Sequence, residues 1–169
     1  MALLPIIVAP DPRLKLKCED VLEVTDDLKQ LMDDMLETMY DAPGIGLAAP
    51  QVGVTKRIIV VDVSKGENGY QPYKMINPEV NWYSDQLVDY EEGCLSLPEQ
   101  YAEVKRPSEI HLSYIDPDGI AQDLRTSGIL ATCIQHEIDH LDGKLFVDHI
   151  SKLRRDLIIR KLKKYKAAL

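Results

Sequence analysis

From Thr25 onward, apolar residues recur at Leu28, Leu31, Met32, Met35, Leu36, Met39 and Tyr40, while Asp26, Asp27, Lys29, Asp33, Asp34 and Glu37 fall on the opposite side. This spacing predicts an amphipathic helix, with Thr25 as N-cap, two aspartates at the positive end of the dipole and Pro43-Gly44 as the stop. Its Met stripe is core, since the flexible thioether fills gaps well. The middle of the chain turns to β character over 57–63, 74–80 and 109–115. Asp116-Pro117-Asp118-Gly119 is a turn signal that predicts a hairpin between its flanking strands. A second helix opens at Ser127 or Gly128, runs through ILATCIQHEIDHL and stops at Gly143. A third starts at Ser151 and is expected to bury Leu153, Leu157, Ile158 and Leu162, with Tyr165 at its margin.

The opening MALLPIIVAPDPRLK carries Pro5 inside a short apolar run and lacks a basic leader or a small-residue cleavage site, so it reads as an ordered strand or arm. With no repeat, low-complexity stretch or linker, residues 1–169 are expected to form a single α+β domain. Antiparallel strands would surround a central helix bearing HEIDH, with one helix near the N-terminus and one at the C-terminus.

A chain of 169 residues with 45% hydrophobic content can bury one sizeable core. Its net charge of −8 argues against general nucleic-acid binding, DNA included. That average hides an asymmetry: residues 151–169 hold eight Lys/Arg and one acid, so the tail is about +7 and the remainder about −15. Three cysteines in no paired spacing argue against a disulfide framework and for reduced thiols. No apolar run approaches the roughly 20 residues that cross a bilayer, so a cytoplasmic protein is expected.

Residues 136–140 read His-Glu-Ile-Asp-His. On an α-helix the two histidines lie about 40° apart around the axis and roughly 6 Å apart along it, so both imidazoles can reach one ion. Glu137, turned about 100° from His136, can stand beside an ion-bound water without ligating the ion itself, the place of a proton shuttle. The bland alternative is an ordinary helix with two satisfied histidines. Yet His136 and His140 run beside Ile129 and Cys133, on a stripe adjoining the apolar Leu130, Ile134, Ile138 and Leu141, and ionisable rings there need partners.

A catalytic ion of this kind takes a third protein ligand. The extended HExxHxxGxxH pattern fails because Phe146 stands in the last position, and no Glu follows Glu137 to serve as a downstream ligand. Cys94, Cys133, His111 and His149 remain. Cys94 has the most telling context, Glu91-Glu92-Gly93-Cys94-Leu95-Ser96-Leu97-Pro98, where Gly93 permits close backbone approach. Cys133 is the second choice and fits better as a small buried hydrophobe. Glu92 precedes Cys94 by two, so in an extended segment both face one way and Glu92 can orient a ligand histidine. Asp139 receives no role beyond structure.

With GIGLAAPQVG at 44–53, EGCLSLP at 92–98 and QHEIDHLDG at 135–143, the chain closely resembles the peptide deformylases. The order and spacing of these motifs, and the Pro10-Asp11-Pro12-Arg13-Leu14 start, extend the resemblance over nearly the whole length. The resemblance implies removal of the formyl group from the initiator formylmethionine of nascent polypeptides, with release of formate. It implies Cys94, His136 and His140 as ligands, water in the fourth position, and Fe(II) as the usual ion, with Zn, Ni or Co able to replace it. Glu137 would act as general base and then acid, and Gln51 and the backbone N–H of Leu95 as donors to the developing oxyanion. Gly44, Ile45 and Gly46 would pair with the extended substrate backbone, with Glu92 and Gly93 flanking it. Ile45, Tyr90, Ile129, Thr132, Cys133 and His136 would form the methionine pocket, where Thr132 introduces a hydroxyl.

Two other readings compete: a metallopeptidase or amidase of different specificity, and a structural metal-binding module that happens to carry HEIDH. For the basic tail, a solvated helix face competes with attraction to ribosomal RNA near emerging chains.

Overall fold

The computed structural model describes residues 2–66 and 68–169. Helix α1 (Asp26–Asp41) begins where expected, with the Thr25 hydroxyl accepting from the Leu28 N–H at 3.2 Å. Its stripe of Met32, Met35 and Met39 is fully buried. The stripe faces a five-stranded antiparallel sheet of order β1 (Gly46–Ala48), β2 (Ile58–Val61), β3 (Tyr73–Tyr83), β6 (Glu109–Ile115), β7 (Ala121–Ser127). Between β3 and β6 in sequence lie β4 (Leu87–Cys94) and β5 (Leu97–Pro107), which pair as a separate two-stranded sheet. β6 and β7 flank the 116–119 turn as a hairpin with unbroken register from Glu109↔Ser127 to Ile115↔Ala121.

The core is layered by the two-residue period of β2. Ile58 and Val60 join the α1 methionines, Leu47 and Ile76 on one face. Ile59 and Val61 face α2 (Gly128–Leu141) on the other, meeting Ala131, Ile134, Ile138 and Leu141. Because α2 lies between this sheet and the β4–β5 hairpin, it is buried on nearly every side from Ala131 to His140, and Leu130 is only partly covered. Ser127 occupies its N-cap position without a side-chain bond. Gly143 closes it with φ +75°, and a Cβ there would stand 2.4 Å from the Lys15 carbonyl oxygen, so no other residue fits.

The hairpin's inner face (Leu97, Ala102, Val104) packs with Phe146, Val147 and helix α3 (Lys152–Ala167). Of the apolar residues expected to be buried on α3, Ile158 and Leu162 are. Leu153 and Leu157 are 71% and 44% exposed and Tyr165 36%, a correction to the expected face. The helix docks along the i, i+4 line of Ile158 and Leu162, with Ile159 packed beside it, and leaves Leu153 and Leu157 outside. The N-terminal segment is an arm without regular structure, joined by Ile7 N–H to Gln51 O and Ala9 N–H to Ser96 O, each 2.8 Å. All three cysteines are free, and among the described residues no helix is long and apolar enough to cross a membrane.

Asp62, just after β2, is 3% exposed. It accepts from the Tyr40 hydroxyl (2.5 Å), the Ser64 N–H (2.9 Å) and hydroxyl (2.6 Å), and the Gln71 N–H (3.1 Å). Burial opposes its charge, but these donors outweigh burial and hold its carboxyl below the ordinary value. A depressed folded value gives stability that is present above the unfolded carboxylate pKa of about 3.9 and lost as pH falls through the folded one. Asp62→Asn is therefore expected to cost about 1–3 kcal/mol at pH 7. Urea titrations should show this difference shrinking as pH is taken below about 4.

Candidate metal centre

Strand β4 ends at Cys94, and its hairpin lies against α2, which presents His136 and His140 one turn apart. One donor atom from each of Cys94, His136 and His140 lies within 4.8 Å of the others, and Cys94 Sγ is 3.3 Å from His140 Nε2. Ligand bonds of about 2.3 Å to sulfur and 2.05 Å to nitrogen in a tetrahedron require edges of about 3.5 Å, so the Cys94–His140 edge is already at the spacing a single small cation needs. His140 Nδ1, the ring nitrogen other than the one beside Cys94 Sγ, and Glu137 Oε1 are buried with no hydrogen-bond partner among the described residues.

The rings differ electrostatically. Burial and the neighbouring His136 push His140 down to about 3, leaving a neutral imidazole. Burial would also lower His136, but Glu137, Cys94 and Glu92 outweigh it and raise it well above the ordinary value. His136 Nδ1 donates to Glu92 Oε1 at 2.8 Å, so when the ring is neutral its proton stays on Nδ1 and the lone pair of Nε2 is left for an ion. Burial opposes the charge on Glu92, yet hydrogen bonds from His136 and Arg106 hold its carboxyl below the ordinary value.

Arg106 is the residue that sequence reasoning missed. Its Nε and Nη2 fork Glu92 at 2.7 and 3.0 Å, and its Nη1 donates to Asp139 Oδ2 at 2.8 Å. Asp139 thus belongs to the support of the site. The available signal was the alternation Ala102, Val104, Arg106, which carries the inward face of β5 onto a charged residue; it went unread because β4 and β5 were not predicted as strands.

Glu137 is 4% exposed, and its Oε2 lies 4.0 Å from His136 Nε2. Burial pushes its carboxyl up to about 7. A Cβ on Gly46 would come within 2.4 Å of Glu137 Oε2, so the bare backbone there is what admits the carboxylate. Gln51, in a 3₁₀ turn at Ala49–Val52, accepts the Ala48 N–H on Oε1 at 2.9 Å. This turns its amide nitrogen to Ser96 Oγ at 3.0 Å and Cys94 Sγ at 3.5 Å.

These groups line a cleft of ≈ 850 Å³. Its walls include Gly44, Ile45, Gly46, Tyr90, Glu92, Gly93, Leu95, Ile129, Thr132 and Cys133, while His140 is not among the residues that line it. Sequence reasoning did not anticipate Ile6 from the arm or Leu97 to Tyr101 from β5. Cys133, the alternative sulfur, stands 3.6 Å from the Ile45 carbonyl and outside the donor set, and burial drives its thiol well above the ordinary value. His111 pairs with Trp82 across β3 and β6, and His149 bonds Asp139, so neither joins the donor set.

A thiol, two imidazoles and a buried glutamate at the floor of a substrate-sized cleft are the equipment of a hydrolase. The polypeptide deformylase profile matches residues 3–156. Over 167 residues the chain is 53% identical to a peptide deformylase of Methylocella silvestris, covering 97% of this chain and 85% of that one. It is 54% identical over 170 residues to one from Cellvibrio japonicus, covering 100% and 99%. A crystal structure of peptide deformylase from Ehrlichia chaffeensis in complex with actinonin superposes with TM-score 0.92 at 43% identity over 98% of both chains. The chain belongs to the polypeptide deformylase family.

Arg106 is 4% exposed, and truncating it would take from Glu92 and Asp139 the guanidinium that bonds both carboxylates. Arg106→Ala is expected to lose about 3–5 kcal/mol in equilibrium urea unfolding. Arg106→Lys should recover only part of this, because an ammonium cannot fork Glu92 and reach Asp139 together.

Proposed function

We propose that residues 1–169 act as one catalytic domain that removes the formyl group from the initiator formylmethionine of nascent polypeptides and releases formate. The observation that carries this reading is the meeting of Cys94, His136 and His140 with Glu137 and Gln51 on the cleft floor, in a chain of this family. Cys94, His136 and His140 would hold one divalent cation. When bound, that cation supplies Lewis acidity that makes a water a usable nucleophile near pH 7. Fe(II) is our assignment in the cell, and the mixed sulfur and nitrogen donors also suit Zn, Ni or Co.

Glu137 takes the proton of the attacking water and returns it to the departing amine, a task that suits a carboxyl pushed up to about 7. The Gln51 amide and the Leu95 backbone N–H stabilise the charge developing on the formyl oxygen, each worth on the order of 3 kcal/mol. Because β1 ends the sheet order, Gly44, Ile45 and Gly46 offer an edge on which an extended peptide can pair, with Glu92 and Gly93 across the cleft. Ile45, Tyr90, Ile129, Thr132, Cys133 and His136 receive the methionine side chain. Such an enzyme works where chains are made, and we place it in the cytoplasm.

Purified anaerobically, the protein is expected to release formate from an N-formyl-Met peptide without cutting the internal peptide bond; internal cleavage would favour a peptidase. Glu137→Ala should retain stoichiometric metal and lose at least about 100-fold in kcat. A structural metal module would show no such split between binding and turnover.

We extend the proposal to ribosomes. Lys152 and Arg155 of α3 are paired with Asp156 and Asp148, whereas Arg154, Arg160, Lys161, Lys163 and Lys164 are exposed with no acidic partner among the described residues. Removing the tail from Ser151 would strip Ile158 and Leu162 from the core, so charge reversal is the cleaner test. Changing Arg160, Lys161 and Lys164 to Glu should abolish co-sedimentation with ribosomes at low salt and leave formate release from a short peptide unchanged. Undiminished co-sedimentation would discard the idea.

A further inference from the structure

The 3₁₀ turn Phe146–His149 reaches the His136 imidazole by two routes. Phe146 stacks against its ring, with centroids 6.2 Å apart and planes 22° apart. His149 reaches it at a distance, since its Nε2 donates at 2.7 Å to Asp139 Oδ2, the same oxygen that accepts Arg106 Nη1. From there the bonds run through the Arg106 fork to Glu92 and from Glu92 Oε1 to His136 Nδ1. Side-chain exposure falls inward along this line, from 33% at His149 and 19% at Asp139 to 5% at Arg106 and 6% at Glu92.

Asp139 is the weak point of the line. Partly exposed, it has water as an alternative partner, and one oxygen serves two donors. If His149 releases that oxygen, Asp139 can turn outward, Arg106 Nη1 loses its acceptor and the guanidinium can tilt on Glu92. Glu92 Oε1 accepts from both Arg106 Nη2 and His136 Nδ1, so that tilt reaches the ring. An isolated surface pair would carry little energy. Here the pair ends a buried series in which each bond polarises the next.

We propose that His149, acting through Asp139 and Arg106, is a positioning residue for the His136 imidazole and so sets the affinity of the centre for its cation. This rests on the reading that Cys94, His136 and His140 hold that cation. The role requires only an N–H donated to Asp139, so a glutamine at 149 can fill it and a leucine cannot.

The test compares H149L and H149Q with the wild-type chain in two measurements. Zinc affinity is read by competition with a chelator, and the His136 Nδ1 proton is read by NMR in metal-free protein. Loss of a partner bonded directly to a ligand histidine costs 10–100-fold in affinity, so H149L, two partners further out, is expected to lose about 3–10-fold. Its His136 proton should move, while H149Q stays within about twofold of wild type. Wild-type values for H149L in both measurements would overturn the proposal, as would H149Q falling as far as H149L, which would assign the effect to ring packing. Should H149L unfold, H149E drives Asp139 away by like charge from the same partly exposed position, and an unmoved His136 proton there would also overturn it. If the wild-type chain binds no zinc, the metal reading fails separately and the proton shift alone decides this one.

Discussion

The bond from His136 Nδ1 to Glu92 Oε1 is the constraint on which the centre depends, because it joins the strand that carries Cys94 to the helix that carries both imidazoles. Around it, Glu92 belongs to β4, Arg106 to β5 and Asp139 to α2, so three elements are registered by one buried set of charges. Burying charges is costly, and a lone pair seldom repays the desolvation. Here the fork is bidentate, and Glu92 also accepts from His136, which is the condition for a buried network to hold one geometry.

The same burial that makes the support costly makes the chemistry available. Glu137 lies on a helix enclosed on nearly all sides, and desolvation brings its carboxyl to the range where taking and returning a proton are both easy. Gly46 is the backbone counterpart of that environment. A methyl group there would occupy the space of the carboxylate, so the sheet edge can approach Glu137 only as glycine. Gln51 is oriented in a similar way, its carbonyl tied to the Ala48 N–H so that the amide nitrogen faces the sulfur.

Helices and hairpins with a strong period were legible from residue pattern alone. The methionine stripe of α1, the β6–β7 hairpin about Asp116-Pro117-Asp118-Gly119 and the span from Ser127 to Gly143 stand as read. The hairpin of β4 and β5 was not legible. Its outer face is polar or exposed along most of its length, and a Leu95-Ser96 connection carries none of the Gly or Asn that marks a tight turn. With that hairpin unread, Arg106 and the β5 wall of the cleft were invisible. On α3, Leu153 and Leu157 have the right spacing for a core face, but Ile158, Leu162 and the half-buried Ile159 are the residues that pack with the hairpin.

The five residues from His136 to His140 determined by themselves that two imidazoles share one side of a helix with a carboxylate between them, because helical pitch is a local property. Residue context and the resemblance already pointed to Cys94 and Glu92, but that this thiol and this carboxylate meet those rings, and which arginine steadies the carboxylate, were decided only by tertiary structure. Each of those contacts joins residues 14 to 46 positions apart, and such distances depend on how a hairpin packs on a helix rather than on any pattern within either.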